Sequence, residues 1–316
     1  MRTGVDPWRS QDHGFRVFAQ DLNPMPPLAI VTMVYNEGPR LPYWLAHYAR
    51  QVGLENCYVI DHGSDDGSTE QLHGASRIRL PRSPQDNDRR LRLVAEFVQG
   101  LLLYYRRVAY VDADELLLAD PEIYTDLRDY AARMEAQSVT SIGLELVQTP
   151  EDASLQPGVG VGEQRGTAIF SSSMCKTNLV GAPVNWAPGW HSHDGAPRFD
   201  DLYLFHLRHA DLDQALERLA VTRDMPWASE HAGKHQRVDD EWMRNVIRFF
   251  GSRPLAENSA LGDPQGPLQR ELASFVADST PHPDPKQPWS VPLARYGNER
   301  IVLSEAIREA ISEKPV

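Results

Sequence analysis

The chain has 316 residues, of which 41% are hydrophobic and 24% charged. That apolar share builds a core and excludes wholesale disorder. Forty-four acidic against 32 basic residues leave a formal charge of −12, so neither duplex nucleic acid nor an anionic membrane surface is an expected partner.

Residues 1–27 predict a loose N-terminal segment, because the cluster Pro24, Pro26, Pro27 forbids helix and blunts strand pairing. The run 28–34 is continuously apolar and β-branched, which predicts a strand buried on both faces, as in a parallel sheet. Leu41, Trp44, Leu45 and Tyr48 carry helical spacing over 40–52, and Gly53 suits the C-cap. A second strand (57–60), a helical turn (69–73), a third strand (77–80), a helix (86–105) and a fourth strand (108–111) follow. This βαβ alternation predicts an α/β fold with a doubly wound, mostly parallel sheet and ligands outside the carboxyl ends of its strands.

Further along, the pattern predicts a helix over 122–136, a strand over 141–147 and a Gly/Pro/Gln-rich loop over 150–166. Short strands fill 167–209, with 202–206 the clearest. Helices are expected near 211–223 and 238–251, then loop, then a last helix at 303–313. No apolar run approaches the roughly 18 residues of a spanning helix. Residues 1–23 hold no apolar segment of the signal-peptide kind. Cys57 and Cys175 are too few for a disulfide framework and read as core residues in a reducing compartment. A cytoplasmic protein is expected, with peripheral membrane contact and oligomeric state left open.

The sharpest chemical signal is Asp112-Ala113-Asp114-Glu115 at the end of an apolar strand. Residues two apart on a strand share a face, so two carboxylates there repel unless a cation sits between them. Hard oxygen ligands suit Mg²⁺ or Mn²⁺, which can neutralise a departing diphosphate. The turns Tyr35-Asn36-Glu37-Gly38 and Asp61-His62-Gly63-Ser64-Asp65-Asp66 end the first two strands, where polar groups and close backbone approach can serve a nucleotide. Neither GxGxxG nor a P-loop motif is present. Arg89 and Arg90 open the helix before the acidic turn and can contact a diphosphate, though a solvated helix face explains them equally. His191, His193 with Asp194, and His206 are possible metal ligands, and Trp186 and Trp190 can stack on a sugar or serve as core.

Taken together, residues 28–210 resemble glycosyltransferases of the GT-A fold, most of all the family 2-like and family 92-like group. The similarity lies in the block from Asn36-Glu37 through Trp44 and His47 to Gly53, in Val59–Ser68, in Tyr110–Leu117, in Gly189-Trp190-His191 and in Leu204–Arg208. The resemblance implies a GT-A catalytic domain over 28–210, acceptor-side from about 150, with a helical and loop-rich extension over 211–316. It implies a hexosyltransferase-type enzyme taking a nucleoside-diphosphate sugar, Mn²⁺ or Mg²⁺, and a glycan or surface-polysaccharide acceptor. Donor contacts map onto Tyr35, Asn36, Glu37, Asp61, Gly63, Ser64, Asp65, Arg89, Arg90, Asp112 and Ala113. Metal contacts map onto Asp112, Asp114 and His206, with His191 as rival, and acceptor contacts onto Trp186 and Trp190. Position 42 is Pro where that block has Glu. The family's pair marking an inverting base is not evident, so Asp194, Glu145 and Asp200 stand as candidate bases. Two alternatives remain at this level: a metallohydrolase using His191, His193 and Asp194, or a non-catalytic nucleotide-sugar-binding relative.

Overall fold

The structure, a computed structural model, describes residues 25–230, 232–257, 261–263 and 265–314, so most of the expected N-terminal segment (1–24) lies outside the described residues. In chain order the elements are β1 (Leu28–Val34), α1 (Leu41–Gln51), β2 (Cys57–Asp61), β3 (Ser76–Arg79), α2 (Asn87–Leu101) and β4 (Arg107–Tyr110). There follow β5 (Glu115–Ala119), α3 (Leu127–Arg133), β6 (Ser138–Leu146), α4 (Val161–Gln164), β7 (Thr167–Phe170), β8 (Leu179–Val180) and β9 (Phe199–His206). The chain continues through α5 (Leu212–Asp224), α6 (Asp240–Gly251), α7 (Pro267–Asp278), β10 (Ile301–Val302) and α8 (Glu305–Ala310).

The mostly parallel central sheet of the expected α/β class is present. β3, β2, β1 and β4 run parallel in that order, and antiparallel β8 joins β4 to β6. The alternating side chains of β1 feed two cores. Leu28, Ile30 and Val34 pack with Leu41, Trp44 and Tyr48 of α1 and with Leu127 and Tyr130 of α3. Ala29 and Val31 pack on the other face with Val94 and Val98 of α2. Helices thus cover both faces, which is why β1 is apolar throughout rather than alternating.

β6 carries the architecture onward. Its first residues pair with β8, while its later ones pair antiparallel with β7 and parallel with β9. β9 in turn pairs antiparallel with β5. β10 adds to the free edge of β7, so residues from the far C-terminal stretch complete the sheet.

Several boundaries differ from the sequence expectation. Residues 69–73 are turns, because His73 (φ 50°) and Gly74 (φ 116°) take left-handed backbone that stops a helix. α2 ends at Leu101, where Leu103 N and Tyr104 N tighten to i−3 bonds on Gly100 O and Leu101 O. α3 starts only at Leu127, after Asp126 caps it by accepting from Arg128 N and Asp129 N. β5 was not expected, although Glu115–Ala119 is buried throughout. α7 stands where loop is expected, because Leu268, Leu272 and Phe275 form a buried helical stripe behind Pro267 in the first turn.

Candidate active site

The site grows from strand register. β4 delivers Asp112 and Asp114 at its carboxyl end, and the chain reverses into β5. β9 lies between β5 and β6, and the register sets His206 opposite Glu115 on one side and opposite Glu145 on the other. Directly paired residues share a sheet face, so carboxylates flank one imidazole. Glu145 Oε2 accepts from His206 Nδ1 and from His209 Nδ1, each at 2.8 Å. His206 Nε2 lies 3.3 Å from Asp114 Oδ2. Burial opposes charge on His206, but Glu145 and Asp114 outweigh it and raise the pKa to about 10. Burial likewise opposes the Asp114 charge, and His206 holds that carboxyl well below the usual range. His209 moves the other way, because burial dominates and favours the neutral ring.

Asp112 is gripped differently. Its Oδ1 accepts from Arg90 and from the Tyr110 hydroxyl (2.9 Å). Its Oδ2 accepts from Lys176 Nζ at 3.0 Å, and Lys176 also contacts Glu115 Oε1. Glu115 Oε2 accepts from Asp112 N at 2.9 Å. Against burial, Arg90 and Lys176 hold the Asp112 carboxyl below its ordinary value. Trp190 stacks on Tyr110 at 4.1 Å between ring centroids, and Arg90 sits 5.2 Å over Trp190.

The first two turns are clipped to each other. Ser64 Oγ accepts from Asn36 N (3.1 Å), Asp65 Oδ1 from Asn36 Nδ2 (2.8 Å), and Asn36 Oδ1 from Asp65 N (3.0 Å). Asp61 is fully buried, and its carboxylate accepts from Ser64 N, Thr69 Oγ1, Arg77 and Arg79. Its charge is thus committed to anchoring the second turn. Gly63 needs its missing side chain: φ is 77°, and a Cβ would lie 2.8 Å from Arg82 Cβ. Arg218, far along in α5, closes the first turn. Its guanidinium donates to Tyr35 O (3.0 Å) and Asn36 O (3.3 Å) and pairs with Glu37 at 2.6 Å. Burial raises the Glu37 carboxyl above its usual value despite Arg218 and Arg40.

Beside these turns lies a cavity of about 240 Å³, with Met33, His62, Leu80, Arg82, Arg89 and Arg90 among its walls. It opens where β1, β2 and β3 end, the position expected for a ligand in such a sheet. Arg82 lies 3.6 Å over the Tyr35 ring. Beyond the last strand residue, Gln85 forms an isolated bridge with Trp227, so the segment after α5 also braces this wall.

Other expected site residues sit elsewhere or act as framework. Asp200 accepts from Tyr130 at the start of β9, about 20 Å of strand from His206. Asp194 accepts from Asn185 N and Nδ2 within its own turn. His193 meets Ser138 Oγ at 3.0 Å. His191 follows the short helical turn Pro188–Trp190. Trp186 (7% exposed) donates to Thr177 O and Trp190 is 2% exposed, so both contribute to the core. Ala113, 4% exposed, separates the two aspartates. The sequence motifs contain Glu115, and the histidine cluster contains His209, with no separate role given to either; Lys176, Arg40 and Arg218 were missed, and nothing local marks Lys176 or Arg218.

Among the described residues, the pair Asp114 and His206 suits a small cation. Neighbouring ligands on an octahedral Mg²⁺-sized ion stand about 3 Å apart, and Asp114 Oδ2 and His206 Nε2 are 3.3 Å apart. Glu145 on Nδ1 supplies the carboxylate behind a ligating imidazole that fixes its tautomer. Among the described residues, Glu145, His206 and His209 also form a group of ligand atoms within 4.8 Å of one another, whereas His191, His193 and Asp194 form no such group.

No family model matches the chain, and no curated protein does. Structural neighbours are glycosyltransferases and nucleotidyltransferases. A mannosyltransferase from Pyrobaculum calidifontis, solved with GDP-Man and Mn²⁺, is 16% identical over 39% of this chain and 36% of its own, with a TM-score of 0.26. Glucosyl-3-phosphoglycerate synthase from Mycobacterium tuberculosis is 17% identical over 37% and 43%, with a TM-score of 0.26. TarS from S. aureus is 11% identical over 71% and 42%, with a TM-score of 0.32. The chain therefore spans 36–43% of the length of these three proteins. Among the described residues, no helix is long and apolar enough to cross a membrane.

Proposed function

We propose that this protein is a glycosyltransferase that moves a sugar, of hexosyl type, from a nucleoside diphosphate to a hydroxyl of a glycan or polysaccharide precursor in the cytoplasm. The observation that carries this is the pairing of Asp114 with His206, two residues from Asp112, whose partner Arg90 lines the cavity. Asp114 and His206 would hold Mn²⁺ or Mg²⁺, which would supply positive charge that offsets the diphosphate.

The chain's own residues do the rest. Met33 and Leu80 give the nucleoside an apolar wall, and Arg82 backed by Tyr35 gives it a cationic one. Arg89 and Arg90, on the cavity wall, offer the phosphates cationic contacts. Glu145 fixes the ring of His206, so we assign it to orientation rather than to deprotonating the acceptor.

The test is calorimetric titration of UDP and GDP into wild type and Asp114→Ala, with Mn²⁺ and with EDTA. The proposal expects Mn²⁺ to tighten nucleotide binding about tenfold or more in wild type only. Binding indifferent to both metal and substitution overturns it. Consumption of a UDP- or GDP-sugar with an added glycan separates an enzyme from a non-catalytic binder.

A further inference from the structure

The family motifs give Lys176 no place, yet it lies at the centre of the acidic tip. It sits in a buried polar stretch, Lys176-Thr177-Asn178, exposed by 4%, 1% and 0%. That stretch leads into β8, which pairs with both β4 and β6. Its ammonium lies 3.0 Å from Asp112 Oδ2 and closer still to Glu115 Oε1. Arg90 and Tyr110 occupy the other oxygen of Asp112. Asp112 therefore has a protein cation on each oxygen. A divalent ion taking Asp112 Oδ2 as ligand has to displace a buried ammonium, which then keeps Glu115 but loses its contact with Asp112.

Asp114 stands in contrast. Arg40 is 3.9 Å away, beyond hydrogen-bond reach. Its close neighbour is His206, whose Nε2 stands 3.3 Å from Oδ2 and is itself a metal-ligating atom type, not a fixed cation such as Lys or Arg. We propose that Lys176 is the built-in counter-cation of the acidic tip. It withholds Asp112 and Glu115 from direct coordination and confines a divalent cation to Asp114 and His206. Lys176 is thus a positioning residue, acting on the metal through the carboxylates it holds.

This rests on the metal-assisted donor reading, and its test fails separately from that reading. The free Mn²⁺ resonance is followed by electron paramagnetic resonance as Mn²⁺ is titrated into wild type, Asp112→Asn, Lys176→Met, Lys176→Arg and the Asp112→Asn/Lys176→Met double variant, without nucleotide. A unit charge about 5 Å from a divalent ion alters its affinity by well over fivefold at a protein-like dielectric. The expected result has three parts: Asp112→Asn weakens binding through its lost charge, Lys176→Met tightens binding at least fivefold, and the double variant, which keeps the wild-type net charge, binds within fivefold of wild type. Lys176→Arg, which keeps the charge, stays within fivefold of wild type.

Weakening by fivefold or more in the charge-matched double variant overturns the proposal, and that arm stands even if Lys176→Met alone does not fold, because the double variant removes the ammonium together with a carboxylate that faces it. A folded Lys176→Met with wild-type affinity overturns it too, as does the absence of Mn²⁺ binding in every variant. UDP and GDP titrations in EDTA on the same wild-type sample report on the donor reading independently.

Discussion

His206 is held by two carboxylates at once, with Nδ1 2.8 Å from Glu145 Oε2 and Nε2 3.3 Å from Asp114 Oδ2. The two contacts divide the labour: one orients the ring and the other presents it. Replacing Glu145 with Gln keeps the volume but removes the charge behind the ring. The expected outcome is a 10–100-fold loss of Mn²⁺ affinity, read by titration, with circular dichroism unchanged. Equal affinity in Glu145→Gln and wild type would show that ring orientation is set elsewhere.

Arg218 connects α5 to the first turn across more than 180 positions of sequence. Asn36 in that turn has φ 51°, so the backbone there depends on outside support. Arg218→Ala is expected to raise the donor KM about tenfold while kcat stays within about twofold. Arg218→Lys restores charge but not the forked contact, and recovers only part of the loss. Steady-state kinetics on the two variants decides this; a fall in kcat at constant KM contradicts it.

Asp61 matched a ribose-contacting position by resemblance, but its oxygens are committed to Ser64 N, Thr69, Arg77 and Arg79. Against burial, these hydrogen bonds hold its carboxyl below the ordinary value. Asp61→Ala is expected to cost about 3 kcal/mol of stability. That is the low end for a broken buried pair, because Arg77 and Arg79 side chains are 31% and 52% exposed. Urea unfolding measures it. Unchanged stability with weakened nucleotide binding would restore Asp61 to the donor.

Histidine 47 gives a pH signature. Its Nε2 meets Leu117 O at 2.8 Å, and burial lowers its pKa from 6.5 to about 4. Between those values the unfolded chain binds the extra proton, so this residue's contribution to stability falls as pH drops from 6.5 toward 4. The full shift corresponds to about 3 kcal/mol. In His47→Gln the difference in unfolding free energy between pH 7 and pH 4.5 is expected to shrink by about 2 kcal/mol. An identical pH slope in both proteins contradicts the assignment.

Much of this was legible in sequence because its causes are local. The apolar run of β1 declares a strand buried on both faces, and Asp112-Ala113-Asp114 at a strand end declares an acidic tip. What stayed hidden depends on strand order. Lys176 reaches Asp112 only because β8 inserts beside β4, and Glu145 reaches His206 only because β9 aligns along β6. β5 stays hidden because its leucines follow the acidic turn directly and find their pairing partner only in the distant β9. α7 was masked by the proline-rich stretch beyond it, although Leu268, Leu272 and Phe275 carry the helical period.

The most direct measurement is a crystal soaked with Mn²⁺ and a nucleoside diphosphate, read by anomalous scattering. The account predicts one peak at bonding distance from Asp114 Oδ2 and His206 Nε2, with the diphosphate reaching toward Arg90 and the nucleoside in the cavity by Met33 and Arg82. A peak between Glu145, His206 Nδ1 and His209 Nδ1, or a nucleotide bound away from that cavity, contradicts it.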